Sequence, residues 1–204
     1  MPNVNRDKTV KKPKTLPRLT RDDWLNAAFA AVVEGGFDAV RVLGLAQTLG
    51  VTRGSFYWHF ADHAALVQAL VERWVAQENA LGARLRAQRS SDARADLHFL
   101  LTTALEHGGA DLENMRFELA LRGLGRRDAA VAAQLLQVDA MRVGLFEENF
   151  LRLHKEPQRA RELATLFYLA IVGSNQALSR PNNPPQTREF LCGVIDTYVI
   201  GAKA

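Results

Sequence analysis

Apolar residues recur at helical spacing almost from one end of the chain to the other. Trp24, Ala27, Ala28, Ala31 and Val32 open the pattern at intervals of three and four, the spacing of one buried helix face. Thr20 stands before this run as an N-cap, and Asp22 and Asp23 suit the positive end of the helix dipole. Gly35 and Gly36 stop the run after about four turns, and Phe37 turns back into the core.

Beyond residue 61 the same periodicity predicts amphipathic helices near 62–86, 92–107, 111–123, 128–155, 157–179 and 186–201. The breaks between them are chemically consistent: Ser90-Ser91-Asp92, His107-Gly108-Gly109, Gly123-Leu124-Gly125, Glu156-Pro157 and Pro181-Asn182-Asn183-Pro184-Pro185 all interrupt or restart a helix. No stretch alternates with the period of a strand, and there is no internal repeat. The expectation is an all-α protein.

One short segment departs from the long-helix pattern. Val42 to Phe60, VLGLAQTLGVTRGSFYWHF, reads as a short helix, a tight turn at Gly50-Val51 and a second short helix, which is a helix-turn-helix. Leu45, Ala46 and Leu49 form the apolar side of the first helix, Val51 plugs the turn, and Phe56 and Phe60 anchor the second. Gly50 suits a left-handed backbone there, and Thr52 is placed to cap the second helix.

With both phenylalanines inward, periodicity turns Thr52, Arg53, Ser55, Tyr57 and His59 outward, a polar and aromatic face that suits a DNA major groove. An Arg53 guanidinium matches guanine O6 and N7, and such a contact is worth roughly 1 to 3 kcal/mol of base discrimination. Thr52 and Ser55 can bond bases or phosphates, and Gly54 lets the backbone come close. Tyr57, Trp58 and His59 carry donors on semi-rigid rings, suited to phosphates, which set register without reading sequence.

On these residues the segment 20–66 resembles the DNA-binding domain of TetR/AcrR-type transcriptional repressors. The spacing from Ala27-Ala28 through Gly36-Phe37, Leu45-Ala46 and Gly50-Val51 to Tyr57-Trp58-His59-Phe60 agrees throughout. The resemblance implies recognition-helix and phosphate-contact roles for Arg53, Gly54, Tyr57, Trp58 and His59. It covers the N-terminal quarter only.

Three positions depart from the family pattern: Arg41 replaces the usual Ser or Thr opening the first motif helix, Gly44 replaces an acidic residue, and His63 replaces a Lys. Arg41 can itself reach a phosphate, whereas His63 would bind one strongly only when protonated. These changes bear on contacts rather than on the fold.

Charge sharpens the picture. Residues 1–18 carry Arg6, Lys8, Lys11, Lys12, Lys14 and Arg18 against Asp7, so this leader holds +5 of a formal net charge of +4 and the rest of the chain is close to neutral. A basic arm beside a neutral body points to one end meeting phosphates, or to a solubilising leader. The domain reading is therefore a basic arm over 1–18, a helix-turn-helix head over 19–65 with its motif at 41–60, and a helical body over 66–204 for ligand binding and dimerisation. At 204 residues and 48% hydrophobic content the chain has material for its core without disulfide or metal. The single Cys192 suits a reducing compartment, no uninterrupted apolar run reaches the roughly 18 to 20 residues needed to span a bilayer, and a cytoplasmic protein is expected.

Other chemistry is sparse. His59 and His63, with Asp62 between them, have the spacing of a metal pair but fall on either side of a helix boundary and lack a matching third ligand, so no metal and no cofactor are expected. His98, His107 and His154 are scattered without a nucleophile beside a base, so no enzyme is expected. In the body, Asn114, Arg116, Glu118, Arg122, Asp139, Arg142 and Asn175 interrupt apolar helices. A candidate ligand pocket is assigned to Phe117, Leu121, Arg142, Phe146, Tyr168 and Asn175, although the default reading of aromatic spacing of this kind is an ordinary packed core.

The last two helices are apolar on more than one side, through Leu163, Leu166, Phe167, Leu169, Ala170 and Ile171, then Phe190, Leu191, Val194, Ile195, Tyr198 and Val199, which suggests self-association. The family resemblance implies that these helices pair into a homodimer on a palindromic double-stranded operator, and that a small-molecule effector in the body controls binding. The alternatives are a ligand-independent architectural factor on the same fold, or a helical adaptor or enzyme whose head binds protein.

Overall fold

The computed structural model describes residues 19–110, 112–178 and 186–201, and every regular element among them is helical. The leader over 1–18 lies outside the described residues. Helix α1 (Arg21–Gly35) opens with a capping box: the Thr20 hydroxyl accepts the Asp23 amide, and the Asp23 carboxylate accepts the Thr20 amide at 2.7 Å. These bonds from Thr20 hold the Asp23 carboxyl below the ordinary carboxylate range. α1 ends at Gly36, whose φ of 72° is left-handed, and a short 3-10 turn (Phe37–Ala39) follows.

Two short helices come next, α2 (Val42–Thr48) and α3 (Arg53–Phe56), and then α4 (His63–Ala87), whose 25 residues make a rod about 37 Å long. The Asp62 carboxylate caps α4 by accepting the Ala65 amide. The body continues with α5 (Ala93–Ala110), α6 (Leu112–Gly125), α7 (Ala129–His154), α8 (Pro157–Leu178) and α9 (Gln186–Ile195), closed by a π-helical turn over Asp196–Ile200. Asp128 caps α7 through the amides of Ala130 and Val131, and Pro157 begins α8 where its missing N–H is harmless.

Two hydrophobic clusters hold these helices. The first contains Trp24, Leu25, Phe37, Leu45, Phe56 and Phe60, continues along α4 through Leu66, Leu70 and Trp74, and closes on Phe117, Leu121, Val131 and Leu135 of α6 and α7. The head is thus built on the same apolar mass as part of the body. The second cluster joins Leu97, Leu101 and Leu105 of α5 to Phe146, Phe150, Leu163, Phe167 and the Ile195–Ile200 end of the chain.

One sequence expectation is corrected here. α7 has an 18-residue window of mean hydropathy 1.2 and, by length and composition alone, is apolar enough to cross a membrane. Asp139 and Arg142 interrupt the run without breaking the helix. Both are paired within the protein, and α7 packs against α4, α5, α6 and α8.

Candidate nucleic-acid interface and body cavity

The turn between α2 and α3 is as tight as its sequence demands. Gly50 takes a φ of 68°, its amide donates to the Gln47 carbonyl at 3.1 Å, and the Val51 amide reaches back to Ala46 at 2.9 Å. Ala46 is buried where the helices meet. Helical geometry in α3 itself lasts one turn. The chain then continues in turns, with the His59 and Phe60 amides both donating to the Phe56 carbonyl.

What holds so short an element is aromatic packing. Phe56 is 0% exposed, edge-on to Trp24 at 5.3 Å between centroids and stacked with Phe60 at 5.5 Å. Phe60 is buried beneath the Arg21 guanidinium, 5.0 Å from its ring centroid. On the other side Trp58 is 81% exposed and Tyr57 51%, the Tyr57 ring resting edge-on against Phe56 at 5.3 Å.

Arg53 lies along this outer face. Its Nη2 donates to the Tyr57 hydroxyl at 3.1 Å and its guanidinium sits 5.9 Å from the Tyr57 ring centroid, which arrays two of the outward groups together. Thr52 is exposed at the N-cap, but its side chain makes no capping bond. The expected cap is corrected, and the hydroxyl is left facing outward. Arg41 is likewise exposed, at the N-cap of α2. A Cβ on Gly54 would meet only the Thr52 hydroxyl at 3.7 Å, so the backbone there faces open space. Ser55 and His59 are half-buried at the edge of the same face. His63 stands apart: its Nε2 lies 2.7 Å from the Val40 carbonyl and donates to it, which ties the start of α4 to the segment before α2.

A cavity of about 210 Å³ opens between α4, α5, α7 and α8, with Glu118 of α6 at its edge. Of the predicted pocket residues, Arg142, Phe146, Tyr168 and Asn175 line it. Phe117 and Leu121 do not, and that assignment is corrected. Phe117 is 1% exposed and stacks on Phe29 of α1, with Phe37 beside it, so this face of α6 belongs to the core under the head. Asn114 is exposed to solvent on the same helix.

The polar side of the cavity is a chain of ion pairs. Arg142 bonds Glu78 of α4 at 2.8 Å and both oxygens of Glu118 at 2.9 and 3.0 Å. Arg122 bonds Glu118 at 2.7 Å, Asp139 at 2.8 Å and the Tyr168 hydroxyl at 2.9 Å, and Tyr168 donates in turn to Asp139. Burial pushes the Glu118 carboxyl up, but Arg142 and then Arg122 overrule it and hold it below its ordinary value. Tyr168 is pushed up to about 12 by burial and by its bond to Asp139. Both guanidiniums titrate above their ordinary value: burial opposes their charge, and their carboxylate partners outweigh it.

Sequence reasoning missed Glu78 and the Leu81, Gly82 and Leu85 wall, although a signal was present. Glu78 falls inside the apolar stripe Leu70, Trp74, Leu81, Leu85 of α4, where an acid needs a reason. It also missed Arg127, which pairs with Asp38 at 3.1 Å and links the α6–α7 junction to the head. Among the described residues no group of histidine, cysteine and carboxylate side chains could hold a metal ion.

Residues 25–70 match the sequence model of the bacterial regulatory proteins of the tetR family. Over 63 residues the chain is 38% identical to the HTH-type transcriptional regulator TtgR of Pseudomonas putida, a match covering 31% of this chain and 30% of that protein. Over 64 residues it is 33% identical to the class D tetracycline repressor of Escherichia coli, covering 31% and 29%. The chain thus matches less than a third of the length of these curated relatives. Solved structures extend the likeness in fold. A regulator from Saccharomonospora viridis in complex with choline has a TM-score of 0.75 at 19% identity, covering 88% of this chain and 96% of that one. The regulator FadR of Bacillus subtilis in complex with stearoyl-CoA has a TM-score of 0.70 at 13% identity, covering 90% and 100%.

Proposed function

We propose that the chain, whose head matches the tetR family of bacterial regulatory proteins over residues 25–70 and whose fold resembles that of solved regulators, is a ligand-responsive transcriptional repressor binding a palindromic DNA operator as a homodimer. The observation that carries the reading is the division of α3 and its following turn: Phe56 and Phe60 inside, Arg53, Tyr57 and Trp58 outside. In this reading Arg53 reads a base pair. Arg41, Thr52, Ser55, Tyr57, Trp58 and His59 meet phosphates or base edges, and Gly54 lets the backbone approach. His63, with one ring nitrogen committed to Val40, reaches a phosphate only through the other. The protein works in the cytoplasm beside its DNA.

Two substitutions separate reading from positioning. Arg53→Ala is expected to weaken the preferred duplex by roughly 1 to 3 kcal/mol and to flatten preference at one base pair in each half-site. Tyr57→Phe should weaken every duplex by a similar, smaller factor. Fluorescence anisotropy on duplexes selected from a random pool, repeated across a salt series, reads both effects, since phosphate contacts make log affinity fall steeply with log salt. Unchanged selectivity in Arg53→Ala would remove the base-reading role. A salt-independent interaction would remove DNA as the partner.

The second copy is assigned to the α8–α9 face. Leu166 and Leu169 on α8, Phe190 and Val194 on α9 and Tyr198 in the turn after it leave large apolar side chains in solvent, a surface that a second copy would cover. Leu169→Glu is expected to raise the dimer dissociation constant roughly 100-fold by placing a charge in an apolar interface, and to lower operator affinity with it. Sedimentation velocity across a concentration series checks this, and a variant still fully dimeric at nanomolar protein would place the interface elsewhere.

The effector site is assigned to the cavity, in keeping with the ligand-bound relatives of the same fold. A ligand there acts by binding one conformation better than the other, and α4, which lines the cavity and carries Leu66 and Leu70 of the head cluster, is the element able to transmit the difference.

A further inference from the structure

Resting on the reading of the cavity as the effector site, we infer that its ligand has an apolar body and a cationic, hydrogen-bond-donating head, which takes Glu78 from Arg142 and so severs an ion pair between α4 and α7. The charge balance leads there. Among the described residues the cavity lining and the ion pairs behind it hold three carboxylates, Glu78, Glu118 and Asp139, against two guanidiniums, Arg122 and Arg142, one negative charge in excess. Arg142 is the one cationic side chain among the described lining residues. It is already spent on Glu78 and Glu118, so an anionic head would have to evict a carboxylate and then sit beside it, Glu78 without this ion pair or Glu118 with Arg122 alone.

The two lining carboxylates are not equivalent. Glu118 has both oxygens bonded by two arginines, and one of them, Arg122, also bonds Asp139 and Tyr168. Glu78 is held by Arg142 through Oε2. A cation arriving in the cavity therefore competes at Glu78 most readily, while Arg142 keeps Glu118 and no buried charge is stranded.

A separate observation points to a donor. Asn175, on the α8 side of the lining, has its Oδ1 buried with no hydrogen-bond partner among the described residues. Such an acceptor is costly unless something donates to it. Leu81, Leu85, Leu100, Phe146 and Ile171 supply the apolar remainder of the lining. Glu78 lies on α4, so its transfer from Arg142 to a ligand loosens the rod that carries the head from the helix at the centre of the body.

The test uses the full chain and three probes of one shape: 4-phenylbutylamine, 4-phenylbutanol and 4-phenylbutyrate. Isothermal titration calorimetry is expected to rank the amine about 10-fold or more above the alcohol, with the carboxylate weakest. The amine should also release a selected duplex. Glu78→Gln should erase the amine's advantage over the alcohol, and Asn175→Ala should weaken amine and alcohol alike, by roughly 3- to 10-fold. Should Glu78→Gln fail to fold, the probe ranking and Asn175→Ala still decide. A carboxylate that binds tightest and releases the duplex overturns the cationic assignment and leaves ligand control standing. Absence of binding by all three, with duplex affinity intact, overturns both. An amine preference that survives in folded Glu78→Gln overturns the role of Glu78.

Discussion

Arg142→Met is expected to destabilise the protein by about 3 to 5 kcal/mol, a drop of roughly 6 to 20 °C in melting temperature for a chain of this length. The guanidinium is 21% exposed and bonds two carboxylates that are each 17% exposed. Its removal leaves Glu78 without this ion pair and Glu118 with Arg122 alone, in a setting where water screens poorly. The Coulomb attraction lost is larger than that of any surface pair in the molecule, such as Arg127 with Asp38, where both side chains are more than half exposed.

The effect should depend on pH in a definite direction. In the intact protein Glu118 titrates below its ordinary value of 4.5, so its contribution to stability is fully present above that value and is lost as pH falls through the lower, folded one. In Arg142→Met, burial loses its strongest opponent, the Glu118 carboxyl takes up a proton more readily, and the charge penalty fades with it. Urea unfolding should therefore show the variant far below the wild type at pH 7 and the gap narrowing toward pH 5. Equal stability of the two proteins at pH 7 would mean that the ion-pair chain contributes nothing to the fold.

Phe56→Ala is expected to remove about 3 to 5 kcal/mol and all specific DNA binding. Phe56 is fully buried between Trp24 and Phe60, and its ring anchors a helix of four residues, too short to persist without tertiary contact. A cavity at this point undermines α3 from below, and Arg53 loses its fixed position against Tyr57. The cluster runs on to Phe117, Leu121 and Val131, so the loss should appear in the unfolding of the body as well, as one lowered transition rather than a separate early one. Phe56→Leu, which refills most of the space, should recover more than half of both effects. A Phe56→Ala protein with wild-type duplex affinity would show that α3 is held by something other than its aromatic underside.

Much of the head was legible from residue order because its determinants are local. Thr20 with Asp23, Gly36, Gly50 and the inward pair Phe56 and Phe60 act within one or two helical turns of themselves, and the structure has them in the expected places. Thr52 was misjudged for a related reason. A hydroxyl before a helix competes for several partners, and a helix of one turn offers few amides to cap.

In the body, periodicity located every described helix near its bounds and marked Glu118, Arg122, Asp139 and Arg142 as polar intrusions, without saying which neighbour each would meet. Phe117 and Leu121 show the limit. Their spacing demanded burial, and burial beneath α1 satisfies it as well as a place in the cavity would.

Residue order alone thus determined the helical class, the helix-turn-helix and the outward set around Arg53, since each depends on periods of three to four residues and on cap and turn chemistry. Only the tertiary structure decided that Glu78 meets Arg142 from 64 residues away, that four helices leave a cavity whose described lining and the ion pairs behind it hold one negative charge in excess, and that head and body share a core. Those outcomes depend on which faces cross and at what distance. An amphipathic pattern says that a face is buried but carries no information about what buries it.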